Sequence, residues 1–237
     1  MSLLELAHAT KRFTSGQREL VVLDDVSLTV AAGECVAVYG TRRSGRTTLL
    51  RIAAGLLALD AGEARFDGHE LASRRRRALG VEIGYGDPRF DVAHGGDVAE
   101  HVALALLARG VGRREGRVRA LAALERAGAS ICAELDPRDL QPGELVRAGI
   151  ARALVTEPRL LLLDEPTSGV EPEEREPVLA LLRTLAEGGL AVLATVGEPV
   201  TGPHRVLALD GGRLGGDAVP TQAPIVSLPP RHVEPVA

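Results

Sequence analysis

The chain has 237 residues, 45% hydrophobic and 25% charged, with a net charge of −4 and a sequence pI near 5.9. That length and apolar content suffice to bury a full core, as one large domain or a domain with an inserted lobe, while the near balance of charge argues against a general nucleic-acid surface, which shows as a basic excess. The two cysteines, Cys35 and Cys132, stand apart from each other and from paired histidines, so neither a disulfide framework nor a zinc site is indicated.

No run of about 18 or more apolar residues is present, and Met1-Ser-Leu-Leu-Glu5 lacks the charged and apolar regions of a secretory signal. The expectation is a soluble cytoplasmic chain, with any membrane passage belonging to another polypeptide. Taken in chain order, the strands up to Val30 and the segment Glu63 to Phe66 are expected to form a small antiparallel sheet against the core. Cys35-Val-Ala-Val-Tyr39 is an apolar run. It leads through Gly40-Thr-Arg-Arg-Ser-Gly-Arg-Thr-Thr48 into Leu49-Leu-Arg-Ile-Ala-Ala-Gly55. Strand, Gly-rich turn and helix in that order are the context a phosphate-binding loop requires. The turn's amides and the helix N-terminus offer partial positive charge to phosphates, and the Thr47 hydroxyl lies where a magnesium ligand is needed. The pattern G-x-x-x-x-G-K-[ST] has lysine where this chain has Arg46, and a guanidinium is a planar fork, not a compact point charge. Lys11 is the only lysine in the sequence. Arg46 therefore reads either as compositional drift or as functional loss.

Arg74 to Arg77 form the one basic run, read as a solvated helix face with a lipid or nucleotide contact as the alternative. A Gly/Pro-rich stretch from Gly84 to Gly96 precedes Val98 to Arg109 and Arg117 to Ala127, which carry apolar residues at helical spacing. Pro142 suits the first turn of a helix running to Val155. Leu160 to Leu163 read as a strand covered on both faces, and Asp164 and Glu165 follow at its carboxyl end, where parallel sheets bind ligands. Two adjacent carboxylates there are costly unless they meet a cation and a reacting water, which points to phosphoryl chemistry; a helix-capping Asp-Glu pair is the alternative. From Gly215 the glycines and prolines deny the backbone donors and the periodicity that a packed element needs, so 215–237 reads as a mobile tail.

With the Gly-rich loop and the Asp-Glu pair in this order, the chain resembles the nucleotide-binding subunits of ATP-binding cassette (ABC) transporters, from about Leu3 to Leu214. Val22 to Val30, Ala32-Gly-Glu34, Leu49 to Leu56, Ala61-Gly-Glu63 and Phe66-Asp-Gly68 are similar to that family's N-terminal half. Ala151 to Leu154, Asp164-Glu-Pro-Thr-Ser-Gly169 and Val206 to Arg213 are similar to its C-terminal half. The resemblance implies an α/β fold: a P-loop NTPase-like core with a mainly parallel sheet, a small antiparallel β subdomain and an inserted helical subdomain. The ATP-binding domain would span 1–214, its helical lobe about 87–155, with 215–237 as the tail. It further implies ATP and Mg2+ as cofactors, and a subunit that couples ATP binding and hydrolysis to a separate integral-membrane permease. Such a subunit is peripheral on the cytoplasmic face of the membrane, works as a homodimer or with another ATP-binding subunit, and has no nucleic-acid partner.

Carried over residue by residue, Phe13 would stack on the adenine, an aromatic platform of the usual kind. Gly40, Ser44, Gly45, Arg46, Thr47 and Thr48 would bind the nucleotide. Thr47 and, through water, Asp164 would hold magnesium, while Glu165 would be the catalytic residue that orients and polarises the attacking water. Several positions depart from the family. Its Leu-Ser-Gly-Gly-Gln segment, which faces the γ-phosphate across the dimer, aligns with Leu140-Gln-Pro-Gly-Glu144, where Pro142 has no NH and Glu144 adds negative charge near an anion. Gly86-Asp87-Pro88 stand where a magnesium-sensing glutamine is expected, Val196 replaces the switch histidine, Glu171 replaces a loop aspartate, and Arg43 replaces a glycine that keeps the phosphate cradle open. The expectation is an ATPase whose turnover is low or dependent on a partner subunit; a non-hydrolysing, nucleotide-gated scaffold is the alternative. Thr14 to Leu20 is similar to the lipoprotein-release and macrolide-export subfamily.

Overall fold

The structure is a computed structural model that describes residues 2–16, 18–71, 82–86 and 95–217. In chain order the elements are strands β1 (Ser2–Ser15), β2 (Arg18–Ala31) and β3 (Cys35–Tyr39), helix α1 (Arg46–Ala53), and strands β4 (Ala61–Phe66), β5 (His69–Glu70) and β6 (Ile83–Gly86). Helices α2 (Val98–Leu107), α3 (Arg113–Arg126) and α4 (Pro142–Leu154) follow, then β7 (Leu160–Leu163), α5 (Pro172–Glu187), β8 (Ala191–Val196), β9 (Arg205–Asp210) and β10 (Arg213–Asp217).

β1 and β2 alternate buried and exposed positions because one face of their sheet packs on the core. In β2, Val26, Leu28 and Val30 are buried while the residues between them are exposed. Leu23 is also buried, so the alternation slips by one residue at Asp24 and Asp25, where the pairing register to β1 shifts and Asp25 takes φ 58. That extra residue is a β-bulge, which bends the strand and re-aims its far end. This antiparallel sheet has the order β2-β1-β4-β5.

The second sheet has the order β10-β9-β3-β8-β7-β6, parallel from β9 to β6, with β10 antiparallel on β9. Its central strands are apolar on both faces, as a parallel sheet covered on two sides requires. β7 shows how. Leu161 and Leu163 pack with α2, α3, α4 and α5, whereas Leu160 and Leu162 pack with α1 and the antiparallel sheet. The carboxyl ends of β3, β7 and β8 therefore lie between two cores that fix them from either side.

The helical lobe is clipped together by one residue. Asp97 caps α2 by accepting from the Glu100 NH at 2.8 Å, and both of its oxygens accept from Arg117 of α3, at 3.1 and 2.8 Å.

Three boundaries differ from the sequence reading. α2 stops at Leu107 because Arg109 and Gly110 already turn back, their NH groups donating to Leu106 and Leu107 carbonyls. α3 begins at Arg113, four residues before the periodic apolar pattern, since its first turn is polar and exposed. Gly215 to Asp217, read from sequence as the start of the tail, belong to β10, where pairing with Ala208 and Leu207 of β9 supplies the hydrogen bonds that composition seemed to deny. The Arg74–Arg77 run, Asp87-Pro88 and 218–237 lie outside the described residues.

Candidate functional site

β3 delivers the chain to Gly40 at the carboxyl edge of the sheet. A Cβ on Gly40 would lie 2.3 Å from the Leu209 carbonyl oxygen and 2.6 Å from Ser44 Oγ, so only glycine lets the loop double back there. Gly45, at φ 106, is pressed against β2, where a Cβ would meet the Val22 carbonyl oxygen at 2.7 Å. α1 then starts at Arg46 with no side-chain cap and no acidic residue in its first turn. Its first amides thus have no internal partner and present the positive end of the helix dipole. The Ser44 hydroxyl beside them is buried and, among the described residues, has no hydrogen-bond partner. An orphaned hydroxyl and uncapped amides at one place fit an anion such as a phosphate. Arg43 takes φ 70, a left-handed conformation that costs a non-glycine residue about 1 kcal/mol or more, and it is exposed.

Across the loop, Asp164 and Glu165 leave the end of β7. They are tied together by Thr195 near the end of β8, whose hydroxyl donates to Asp164 Oδ1 at 2.8 Å and accepts from the Glu165 NH at 3.0 Å. Thr195 is fully buried. Glu165 itself holds φ 50, a strained conformation of the kind found at functional sites. Its carboxylate is engaged by Arg46, whose Nη2 donates to Glu165 Oε1 at 2.7 Å while Nη1 donates to the Val196 carbonyl oxygen. The Arg46 side chain is 7% exposed and that of Glu165 38%. One guanidinium, acting as a fork, joins the start of α1 to the ends of β7 and β8.

These groups face one cleft of about 1080 Å³, lined by Ser44, Gly45, Arg46, Thr47 and Thr48 from the loop and helix and by Asp164 and Glu165. Arg42, Arg43, Arg51, Leu20 and Val22 complete the lining. Gly40 sits beneath the loop and is not part of the lining. Phe13 is not part of it either: it is 41% exposed, with Lys11 Nζ 5.5 Å from its ring centroid. Leu20, its partner across the β1–β2 ladder, lines the cleft in its place.

Among the described residues no group of three or more His, Cys, Asp or Glu side chains is arranged to hold a metal by itself. One hydroxyl, Thr47, and one carboxylate, Asp164, on the same cleft suit a magnesium ion, which keeps several waters and takes its remaining ligands from substrate phosphates.

Sequence reasoning missed Thr195. The signal was present: one hydroxyl in the otherwise apolar strand Ala191-Val-Leu-Ala-Thr-Val196. It also passed over the cleft-lining roles of Arg42, Arg51, Leu20 and Val22, and treated Arg43 only as a source of crowding.

The departures have local structural reasons. Pro142 occupies the first turn of α4, and Gln141 and Glu144 form a capping box in which Glu144 Oε2 accepts from the Gln141 NH at 2.9 Å. That helix end already carries its own anion. The Val196 side chain is buried against Ala37, Leu179 and Val206, so only its carbonyl takes part in the site.

Comparison with known proteins gives the same picture. The family described as ABC transporter matches residues 23–168. The chain is 38% identical over 223 residues to the lipoprotein-releasing system ATP-binding protein LolD of Chromohalobacter salexigens, covering 91% of this chain and 94% of that protein. It is 38% identical to the methionine import ATP-binding protein MetN 1 of Rhodococcus jostii over 83% of this chain and 59% of that one. It is 33% identical to the macrolide export ATP-binding/permease protein MacB of Burkholderia pseudomallei, covering 96% of this chain but only 36% of that protein. Among solved structures it is similar to the dimeric ATP-binding cassette MJ0796 in a post-hydrolysis state bound to ADP and Pi, with a TM-score of 0.79 and 26% identity over 91% of this chain and 97% of that one.

Proposed function

The chain belongs to the ABC transporter family as an ATP-binding subunit of the ATPase class, and from that premise we propose how its residues divide the work. Uncapped amides at the start of α1, with Ser44, Thr47 and Thr48, receive the phosphates. The base lies toward the β1–β2 hairpin, where Leu20 and Val22 line the cleft and Phe13 stands opposite Leu20. Thr47 and Asp164 would hold Mg2+, which when bound neutralises phosphate charge. Glu165 acts as the base that takes up the proton of the attacking water, and Thr195 holds the Glu165 backbone NH and the Asp164 carboxylate in register.

The observation that carries this reading is the junction of Asp164 and Glu165 with the loop that presents the uncapped helix end, all on one cleft. A pair of carboxylates held only as a helix cap would not need a buried threonine and a buried arginine to position it. For the same reason hydrolysis is preferred here to a purely structural nucleotide switch.

We further propose a separate integral-membrane permease as partner and assembly with a second ATP-binding subunit, so that the chain works at the cytoplasmic face. No helix among the described residues is long and apolar enough to cross a membrane. Calorimetry of the folded chain with MgATP, followed by phosphate release with and without the reconstituted permease, tests the proposal. Absence of binding heat at millimolar ATP would sink it.

A further inference from the structure

The arginine at the lysine's place in the phosphate-loop pattern is already committed. Arg46 spends one nitrogen on Glu165, at 2.7 Å, and another on the Val196 carbonyl. Two other arginines of the same loop are not. Arg42 and Arg43 are exposed, line the cleft beside Ser44, Thr47 and Thr48, and form no ion pair with any carboxylate among the described residues. In a chain with a net charge of −4, this cleft gathers Arg42, Arg43, Arg46 and Arg51 against the carboxylates of Asp164 and Glu165. Four cations against two anions leave an excess of positive charge on the cleft that Ser44 and the start of the uncapped helix also line. Such a field attracts and focuses a polyanion.

We propose that Arg42 and Arg43, not Arg46, supply the side-chain charge that neutralises the terminal phosphates of a nucleoside triphosphate, with Arg46 serving as a positioning residue for Glu165. The inference rests on the ATP-binding reading above. It explains why a residue with a side chain occupies φ 70 at Arg43: the backbone takes the turn a glycine would take, and in exchange an arginine lines the cleft. Guanidinium forks pair with two phosphate oxygens at once, which a lysine does not.

The test measures binding to the full chain of MgATP and of inorganic tripolyphosphate, which lacks a base, at two salt concentrations. The double variant Arg42→Ala with Arg43→Gly is expected to bind both ligands about 10-fold or more weakly, and with a smaller loss of affinity on adding salt. Glycine suits the backbone at position 43, so this variant folds; Arg42→Ala with Arg43→Asn, another residue that tolerates φ > 0, is expected to show the same loss and separates charge from relief of strain. Wild-type binding with undiminished affinity in both double variants overturns the arginine assignment alone. Failure of the folded wild-type chain to bind either ligand overturns the ATP-binding reading together with this one.

Discussion

Arg46 Nη2 and Glu165 Oε1 lie 2.7 Å apart, so the residue that begins α1 holds a residue just past the end of β7. The pair is asymmetric: Arg46 is buried and Glu165 is over one-third exposed, which leaves the carboxylate open to solvent on the cleft side. Glu165 is thus both charge-compensated and reachable by water, which suits the base role proposed for it.

Glu165→Gln is expected to lower phosphate release by about 10²-fold or more while ATP remains bound, because the amide keeps the shape but takes up no proton. Trapped nucleotide should then prolong the ATP-dependent dimer seen by light scattering. Equal phosphate release from variant and wild type would remove Glu165 from the role of base.

Thr195→Val keeps the volume of a fully buried side chain but strands the Glu165 NH and Asp164 Oδ1, which accept no substitute from valine. Leaving half-buried polar groups unpaired costs up to about 1–3 kcal/mol, so the urea midpoint should fall, and nucleotide-dependent phosphate release should fall with it. Thr195→Ser, which retains the hydroxyl, should recover most of both. A valine variant as stable and as active as wild type would show that the bridge is incidental.

Glu144→Gln preserves the capping box, since glutamine serves at that position as well, yet removes a negative charge from the start of α4. If this helix end faces the partner subunit's nucleotide, ATP-dependent dimerisation should strengthen and phosphate release should rise. Unchanged dimerisation across a range of ATP concentrations would mean that α4 does not face the nucleotide.

Burial pushes the Cys35 thiol up to about 12, against a weaker lowering by Arg183, because a thiolate inside β3 would lose its hydration. Burial raises the Cys132 thiol too. Neither should react with a thiol reagent at pH 8 in the native chain, and both should react once it is unfolded. Above the ordinary value of 9.0 the unfolded chain releases the Cys35 proton while the folded chain keeps it. This contribution to stability is complete below pH 9 and is lost as pH rises toward 12. Cys35→Ala should flatten the alkaline decline in melting temperature; an unaltered slope would place the effect elsewhere.

The sequence by itself determined the elements whose signals are local. The unbroken apolar runs of β3 and β7, the Gly-rich turn into α1 and the proline opening α4 are each written within a dozen residues, and the nucleotide-binding loop and the carboxylate pair follow from them. The polar first turn of α3 and the pairing of Gly215 in β10 were hidden for the converse reason: their stability comes from neighbours, not from pattern. Only the tertiary structure decided what the site residues do to one another. Arg46 finds Glu165 across 119 residues, and Thr195 finds Asp164 across 31. Of the cross-strand pair Phe13 and Leu20, it is Leu20 that lines the cleft. No composition or periodicity carries those distances, because they are set by strand order in the parallel sheet, which brings the ends of β3, β7 and β8 side by side.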